Sequence, residues 1–219
     1  MNPTLSDDGG ADALRAMAES LTTRLCHDVA GLVGTLSGTL ELVMEAVPPE
    51  DEAAELALAA ARQLAARIRL FRAAWGGGDM ADASLDALAE GLSGRTRWAL
   101  DLSAIDAAAR EKPAGDGAAG SPALAAGGAR LLLCLLLAAG SAVPTGGSLI
   151  AAPDAAGGFT LTMTGKNAAW PAALGAPPAA GHPAAEDAKG VAISMAGLLA
   201  AGAGWRLGIA GETLRATPG

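Results

Sequence analysis

From Leu14 to Val47 the larger apolar residues fall at Leu14, Met17, Leu21, Leu25, Val29, Leu32, Leu36, Leu40, Val43 and Val47, always three or four positions apart. That spacing predicts one long amphipathic helix, and its mean step approaches the seven-in-two-turns repeat of helices packed in bundles. Pro48-Pro49 ends the pattern, and Glu50, Asp51 and Glu52 provide the acidic first turn of a second helix. Its predicted apolar face is Leu56, Ala57, Ala60, Ala61, Leu64, Ala65, Ile68, Phe71 and Trp75. The two segments read as an antiparallel hairpin joined by a short turn. Such a hairpin cannot enclose its own apolar seam. Pairing with a second copy completes a four-helix bundle; packing against the rest of the chain is the rival.

Gly76-Gly77-Gly78 interrupts the pattern and divides residues 1–77 from residues 78–219. Beyond it, Asp82 to Leu92 suggests a short helix and Thr96 to Leu102 alternates like a half-buried strand. Glu111 to Pro122 has loop composition, Arg130 to Ala139 reads as a buried helix, and Pro144-Thr145-Gly146-Gly147 as a turn. Ser148 to Ala151 and Phe159 to Thr164 predict successive strands, with Gly157-Gly158 at a strand boundary. Pro171 to Pro183 fits neither period. Ala188 to Ala201 predicts a helix, and Trp205 to Ile209 with Thr213 to Ala216 a closing hairpin about Gly211-Glu212. The fold class expected is α+β: a helical hairpin, then a sandwich with helices on one face of a small sheet.

The pattern also isolates one residue. At about 100° per residue, His27 lies roughly 160° from the centre of the first helix's apolar stripe, so it faces water or a partner. Around it on that side are Ser20, Thr23, Ala30, Gly31, Gly34, Gly38 and Glu41, mostly small groups. Each helical glycine costs about 1 kcal/mol relative to alanine, which suggests close approach by another protein there. An imidazole is partly unprotonated near neutral pH and can accept a phosphoryl group on nitrogen. Asp28, about 60° from the stripe centre and so at the bundle edge, can accept a hydrogen bond from the non-reacting ring nitrogen or pair with a cation across the bundle. Arg24, one turn earlier, can hold that carboxylate or attract phosphate. Arg62, Arg67 and Arg69 read as solvated charges on the second helix and possible contributors to docking.

Composition narrows the options. A net charge of -8 and 23 acidic against 15 basic residues disfavour nonspecific binding to nucleic acid or an anionic membrane. The strongest apolar run, Leu131 to Ala139, is too short to span a bilayer, and the amino end lacks the features of a secretion signal, so a cytoplasmic location is expected. Cys26 and Cys134 have no zinc-site spacing, and burial as a free thiol is the ordinary outcome for Cys134.

The run Arg24-Leu25-Cys26-His27-Asp28-Val29 to Gly34, continuing to Leu40-Glu41-Leu42, resembles the phospho-accepting helix of the alphaproteobacterial ChpT histidine phosphotransferases, relatives of sensor histidine kinases. The resemblance implies that His27 is the phosphorylated histidine, Asp28 its acidic neighbour and Gly34 a family glycine. It further implies a homodimer through a four-helix bundle, a degenerate kinase-like ATPase domain at residues 78–219, and phosphoryl relay from a hybrid kinase's receiver domain to the receiver domains of cell-cycle response regulators. No cofactor of the chain's own is implied; Mg²⁺ comes with the receiver. Leu32 stands where such helices often carry proline, and Gly31 where bifunctional kinases place Thr or Asn, which argues against intrinsic phosphatase activity. By the same resemblance Arg130 to Leu136 occupies the helix that bears the nucleotide-binding asparagine in active kinases, yet Cys134 and its neighbours supply no such amide. An Asp-x-Gly-x-Gly motif is also missing, so ATP binding is not expected. A non-catalytic dimeric adaptor and an ATP-dependent histidine kinase are the alternative functions.

Overall fold

The computed structural model describes residues 8–45, 51–76, 84–92, 98–110, 124, 127–142, 146–154, 157–175 and 190–219. The turn expected at Pro48-Pro49, Gly77-Gly78, the loop expected over 111–122, Pro144-Thr145, and Pro177 to Pro183 lie outside them.

Two long helices come first, α1 (Asp8–Glu45) and α2 (Asp51–Trp75), packed along one another. In α1 the periodic residues Met17, Leu21, Leu25, Val29, Leu32, Leu36 and Val43 are half-buried and Leu40 is exposed; none is closed off from solvent. In α2 the buried row is Ala53, Ala57, Ala60, Ala66, Leu70, Phe71, Ala73 and Ala74. Leu56 and Ile68, expected on the buried face, are exposed, as is Leu58. The inward face is therefore an alanine row turned partly away from the larger residues, because small side chains let two helix backbones approach.

After the hairpin, α3 (Leu85–Ala89) is capped by Ser84, whose Oγ accepts from Ala87 N at 3.2 Å, and runs into a 3₁₀ turn at Glu90–Leu92. This turn packs on α2 so closely that a Cβ on Gly91 would fall 2.6 Å from the Ala66 carbonyl oxygen. Strand β1 (Trp98–Asp101) leads to α4 (Ser103–Arg110), a helix absent from the periodicity reading. The carboxylate of Asp101 starts it, accepting from Ser103 N at 3.0 Å and from Ser103 Oγ at 2.6 Å. Helix α5 (Gly128–Ala142), strands β2 (Gly147–Pro153) and β3 (Phe159–Thr164), a 3₁₀ turn at Ala172–Gly175, helix α6 (Gly190–Gly202), and strands β4 (Trp205–Ala210) and β5 (Thr213–Pro218) follow.

The five strands form one mixed sheet in the order β1-β2-β3-β5-β4, with β1 parallel to β2 and all other pairs antiparallel. Leu149, Ala151, Phe159, Leu161, Met163, Leu214 and Ala216 point to the core and alternate with Ile150, Thr160, Thr162, Thr164 and Arg215 on the other face. Gly147 begins β2 at φ 152, where a Cβ would lie 1.8 Å from the Thr164 carbonyl oxygen. Only glycine admits so close an approach.

Helix α5 is the centre of the core, with every residue from Leu131 to Ala139 buried. Its first turn is also the link to the hairpin. Arg130 donates from Nε to the Ala74 carbonyl at 3.1 Å and from Nη2 to the Trp75 carbonyl at 3.2 Å, and Cys134 Sγ donates to Ala74 O at 3.1 Å. The last carbonyls of α2, which no helical N–H can reach, are thus satisfied by the α/β unit. Leu70, Phe71, Ala73 and Ala74 belong to the same apolar cluster as α5. Leu25 and Val29 of α1 pack against that cluster, which fixes the turn of α1 between them.

Candidate functional site

That turn carries His27, Asp28 and Arg24. Leu25 and Val29 are turned inward, and His27, midway between them, is carried to the opposite side of the helix, where its side chain is 72% exposed. Asp28 is rotated from His27 by one residue and is only 2% exposed. This is deeper than the bundle-edge position expected from the helical wheel. Its two carboxylate oxygens address different partners. Oδ2 accepts from Arg24 Nε at 2.8 Å, and Oδ1 stands 3.4 Å from His27 Nδ1. Arg24 thus holds the carboxylate, one of the two roles its position permitted.

A buried carboxylate is costly unless its lone pairs are engaged. Here the i,i+4 ion pair stabilises the anion and leaves the second oxygen toward the imidazole. At 3.4 Å that contact is a weak hydrogen bond, and it favours the tautomer with the proton on Nδ1, directing the Nε2 lone pair outward.

An open groove of ≈ 530 Å³ lies over the histidine, lined by His27, Asp28, Ala30, Gly31, Leu32 and Thr35 of α1 and by Gln63 of α2. Beyond the backbone of its own helix and its chain neighbours, a Cβ on Gly31, Gly34 or Gly38 would meet nothing among the described residues within 4 Å, so no described packing requires glycine there. Thr35 turns its hydroxyl back to the Gly31 carbonyl at 3.0 Å. The floor beside His27 is consequently small and shallow.

Arg62 and Arg69 are exposed, as expected for solvated charges. Arg67 is not: it is 3% exposed. Its guanidinium is held below the ordinary pKa, first by burial and then by the nearby charge of Arg24. The sequence did contain a signal for this. Ala53, Ala60 and Ala74 are all buried, and Arg67 occupies the remaining place in that seven-residue row. Gln63, one turn before it, was likewise not expected at the groove.

Cys26 is exposed beside His27 and Cys134 is buried. Burial pushes the Cys134 thiol up to about 12 despite Arg130 nearby, so near neutral pH it is the protonated thiol. Among the described residues no group of three or more His, Cys, Asp or Glu can hold a metal ion. No helix of the described residues is long and apolar enough to cross a membrane.

The family model for the histidine phosphotransferase C-terminal domain matches residues 84–213, from the cap of α3 to the first residue of β5. The hairpin with His27 precedes that segment. A solved structure, the "1.7 Angstrom Structure of a Bacterial Phosphotransferase", shares the fold with a TM-score of 0.62 at 24% identity, over 91% of this chain and 94% of that one. A search of curated proteins finds no match.

Proposed function

The chain belongs to the histidine phosphotransferase family, and on that premise we propose that it relays phosphoryl groups between receiver-domain aspartates through His27. The observation that carries this reading is an exposed imidazole whose Nδ1 faces a buried, Arg24-held carboxylate.

In the step proposed, the Nε2 lone pair attacks the phosphorus of a receiver's aspartyl phosphate. The N–P bond forms, the P–O bond breaks, and the aspartate carboxylate leaves with the electron pair. Nδ1 keeps its proton, so positive charge grows on the ring where Asp28 Oδ1 can offset it, much as a buried carboxylate supports histidine in hydrolases. The second transfer reverses these bond changes onto another receiver. Each receiver brings its own acidic pocket and Mg²⁺; the chain brings the nucleophile and a shallow groove that admits a loop.

The ChpT-like role, with a hybrid kinase as donor and cell-cycle response regulators as acceptors, is the finer form of the proposal. It includes a homodimer, for which the half-covered stripe of α1 and exposed Leu56, Leu58 and Ile68 of α2 are the support. Residues 78–219 are read as a kinase-like unit that holds no ATP. The helix expected to provide a metal-holding amide offers the protonated thiol of Cys134 instead, and that thiol is engaged with Ala74 O.

Phosphate transferred from a radiolabelled receiver to the native protein, and none to His27→Gln, is the expected result. Equal labelling of both proteins would falsify the assignment of His27. Labelling by ATP without a donor would favour an autokinase, and receiver binding without labelling an adaptor.

A further inference from the structure

One wall of the groove over His27 comes from the facing helix. Gln63 of α2 shares that groove with His27, Asp28 and Thr35 of α1, and it is half-buried. It is also the chain's one glutamine. Its amide has two N–H donors and a carbonyl oxygen with two lone pairs, so a bond to a neighbour in the chain and a bond to a ligand are compatible.

A phosphoryl group placed on Nε2 of His27 brings three acceptor oxygens and a charge of about -1.5 to -2 into this groove near neutral pH. Such oxygens call for N–H or O–H donors, and the lining supplies few. Backbone N–H groups in the middle of α1 are spent on the carbonyls four residues earlier. Ala30, Gly31 and Leu32 have no polar side chain, and the Asp28 carboxylate, ion-paired with Arg24, only accepts. The Thr35 hydroxyl donates to the Gly31 carbonyl at 3.0 Å. Apart from the imidazole itself, Gln63 is therefore the described lining residue whose side chain carries N–H donors. A neutral amide also suits a phosphoryl group that must leave again, because its hydrogen bonds are about half as strong as those of a contacting cation.

Resting on the reading that His27 carries the phosphoryl group, we infer that Gln63 is a second phosphoryl-contacting residue of the site: from α2 its amide N–H donates to a phosphoryl oxygen of phosphohistidine and favours that state over the free imidazole. The consequence is a change in where the phosphoryl group rests at equilibrium. Contacts made only to the receiver have no such effect. They are absent from both phosphorylated states once the proteins separate, and they change rates and docking affinity alone.

The test is the equilibrium partition of label between one purified receiver and the native protein, Gln63→Ala or Gln63→Glu, at concentrations where the two proteins are mostly apart. Transfer rates and thermal midpoints are measured alongside. Ala, a good helix former, is expected to keep the fold and to move the partition toward the receiver by roughly tenfold, the lower end for a hydrogen bond to a charged group because the groove is open. Glu, which puts a carboxylate oxygen in place of the amide nitrogen, is expected to move it further. A folded Ala variant with a native partition, whatever its transfer rate, would show that Gln63 serves only docking or packing and would overturn the inference. A measurement on the native protein covers the case in which neither variant folds. On phosphorylation of His27 the side-chain amide resonances of Gln63 should shift by more than those of Asn167, exposed on the turn after β3; equal shifts would also overturn it. Failure of the native protein to take label at His27 is a separate outcome, seen without any Gln63 substitution, and it removes the relay reading itself.

Discussion

Helices α1 and α5 are both rich in apolar residues and meet opposite fates. From Leu131 to Ala139, α5 is closed on every side by the sheet, α6 and the end of α2. Along α1 no periodic apolar residue with a described side chain is closed off, and Met44 is 84% exposed. Among the described residues the buried charges are distributed the other way, both in the hairpin and none in the α/β core. A run that is apolar all round needs neighbours on all sides, whereas a stripe needs one and leaves the opposite face for chemistry. The α/β unit is closed on itself; the hairpin leaves one face open.

The thiols give the largest expected contrast between the two regions. With its pKa at about 12, Cys134 should react with iodoacetamide in the native state roughly three orders of magnitude more slowly than a free thiol near 8.5, while exposed Cys26 is alkylated. Mass spectrometry of tryptic peptides reads both, and modification of Cys134 before unfolding would contradict the packing of α5. The raised pKa also sets a sign. Stability from the neutral thiol is complete below pH 9 and declines as pH rises toward 12.

Paired truncations sharpen the same contrast in energy. Leu135→Ala should lower unfolding free energy by about 2–5 kcal/mol, and Met44→Ala by less than about 0.5 kcal/mol, in urea titrations at low protein concentration. Similar losses at the two sites would show that α1 is covered as completely as α5.

Self-association probes the uncovered stripe directly. Replacing Leu36 and Leu40 by Glu should weaken dimerisation by about tenfold or more, since each buried leucine is worth about 1.5–3 kcal/mol, while the sheet stays folded. Sedimentation equilibrium and far-UV circular dichroism together decide this. A monomeric native protein would end the bundle proposal and leave the site geometry intact.

The smallest effect belongs to exposed Asp101. Hydrogen bonds from the Ser103 hydroxyl and then its backbone N–H hold this carboxyl below the usual carboxylate range. A depressed pKa gives stability that is present above the unfolded value near 3.9 and lost as pH falls through the folded one. Asp101→Asn should therefore flatten the acid limb of the urea midpoint slightly, and an unchanged limb would leave α4 with no measurable electrostatic cap.

Much of this architecture was legible before any coordinates. The two long helices, β1, the β2 and β3 strands and the β4-β5 hairpin announce themselves by a period of 3.6 or 2 over a local window, and α5 by an unbroken apolar run. Helix α4 did not, being eight residues rich in alanine whose start depends on a side-chain turn at Asp101. The outward direction of His27 followed from its phase against Leu25 and Val29. The depth of Asp28 and Arg67 did not, because an isolated helical wheel carries no information on which neighbour covers its edge.

Local covalent geometry makes the direction of each side chain about its own helix or strand a property of sequence, and that was enough to place His27 on the outward face of α1, with Asp28 and Arg24 within a turn of it. Coverage is another matter. It depends on contacts between residues such as Arg130 and Ala74, 56 positions apart, and on which helix lies against which. Tertiary packing alone decided that Asp28 is dry, that Arg67 stands in an alanine row, and that the free carbonyls ending α2 are tied to α5. The reason is that burial is a property of two surfaces, and one segment of sequence contains only one of them.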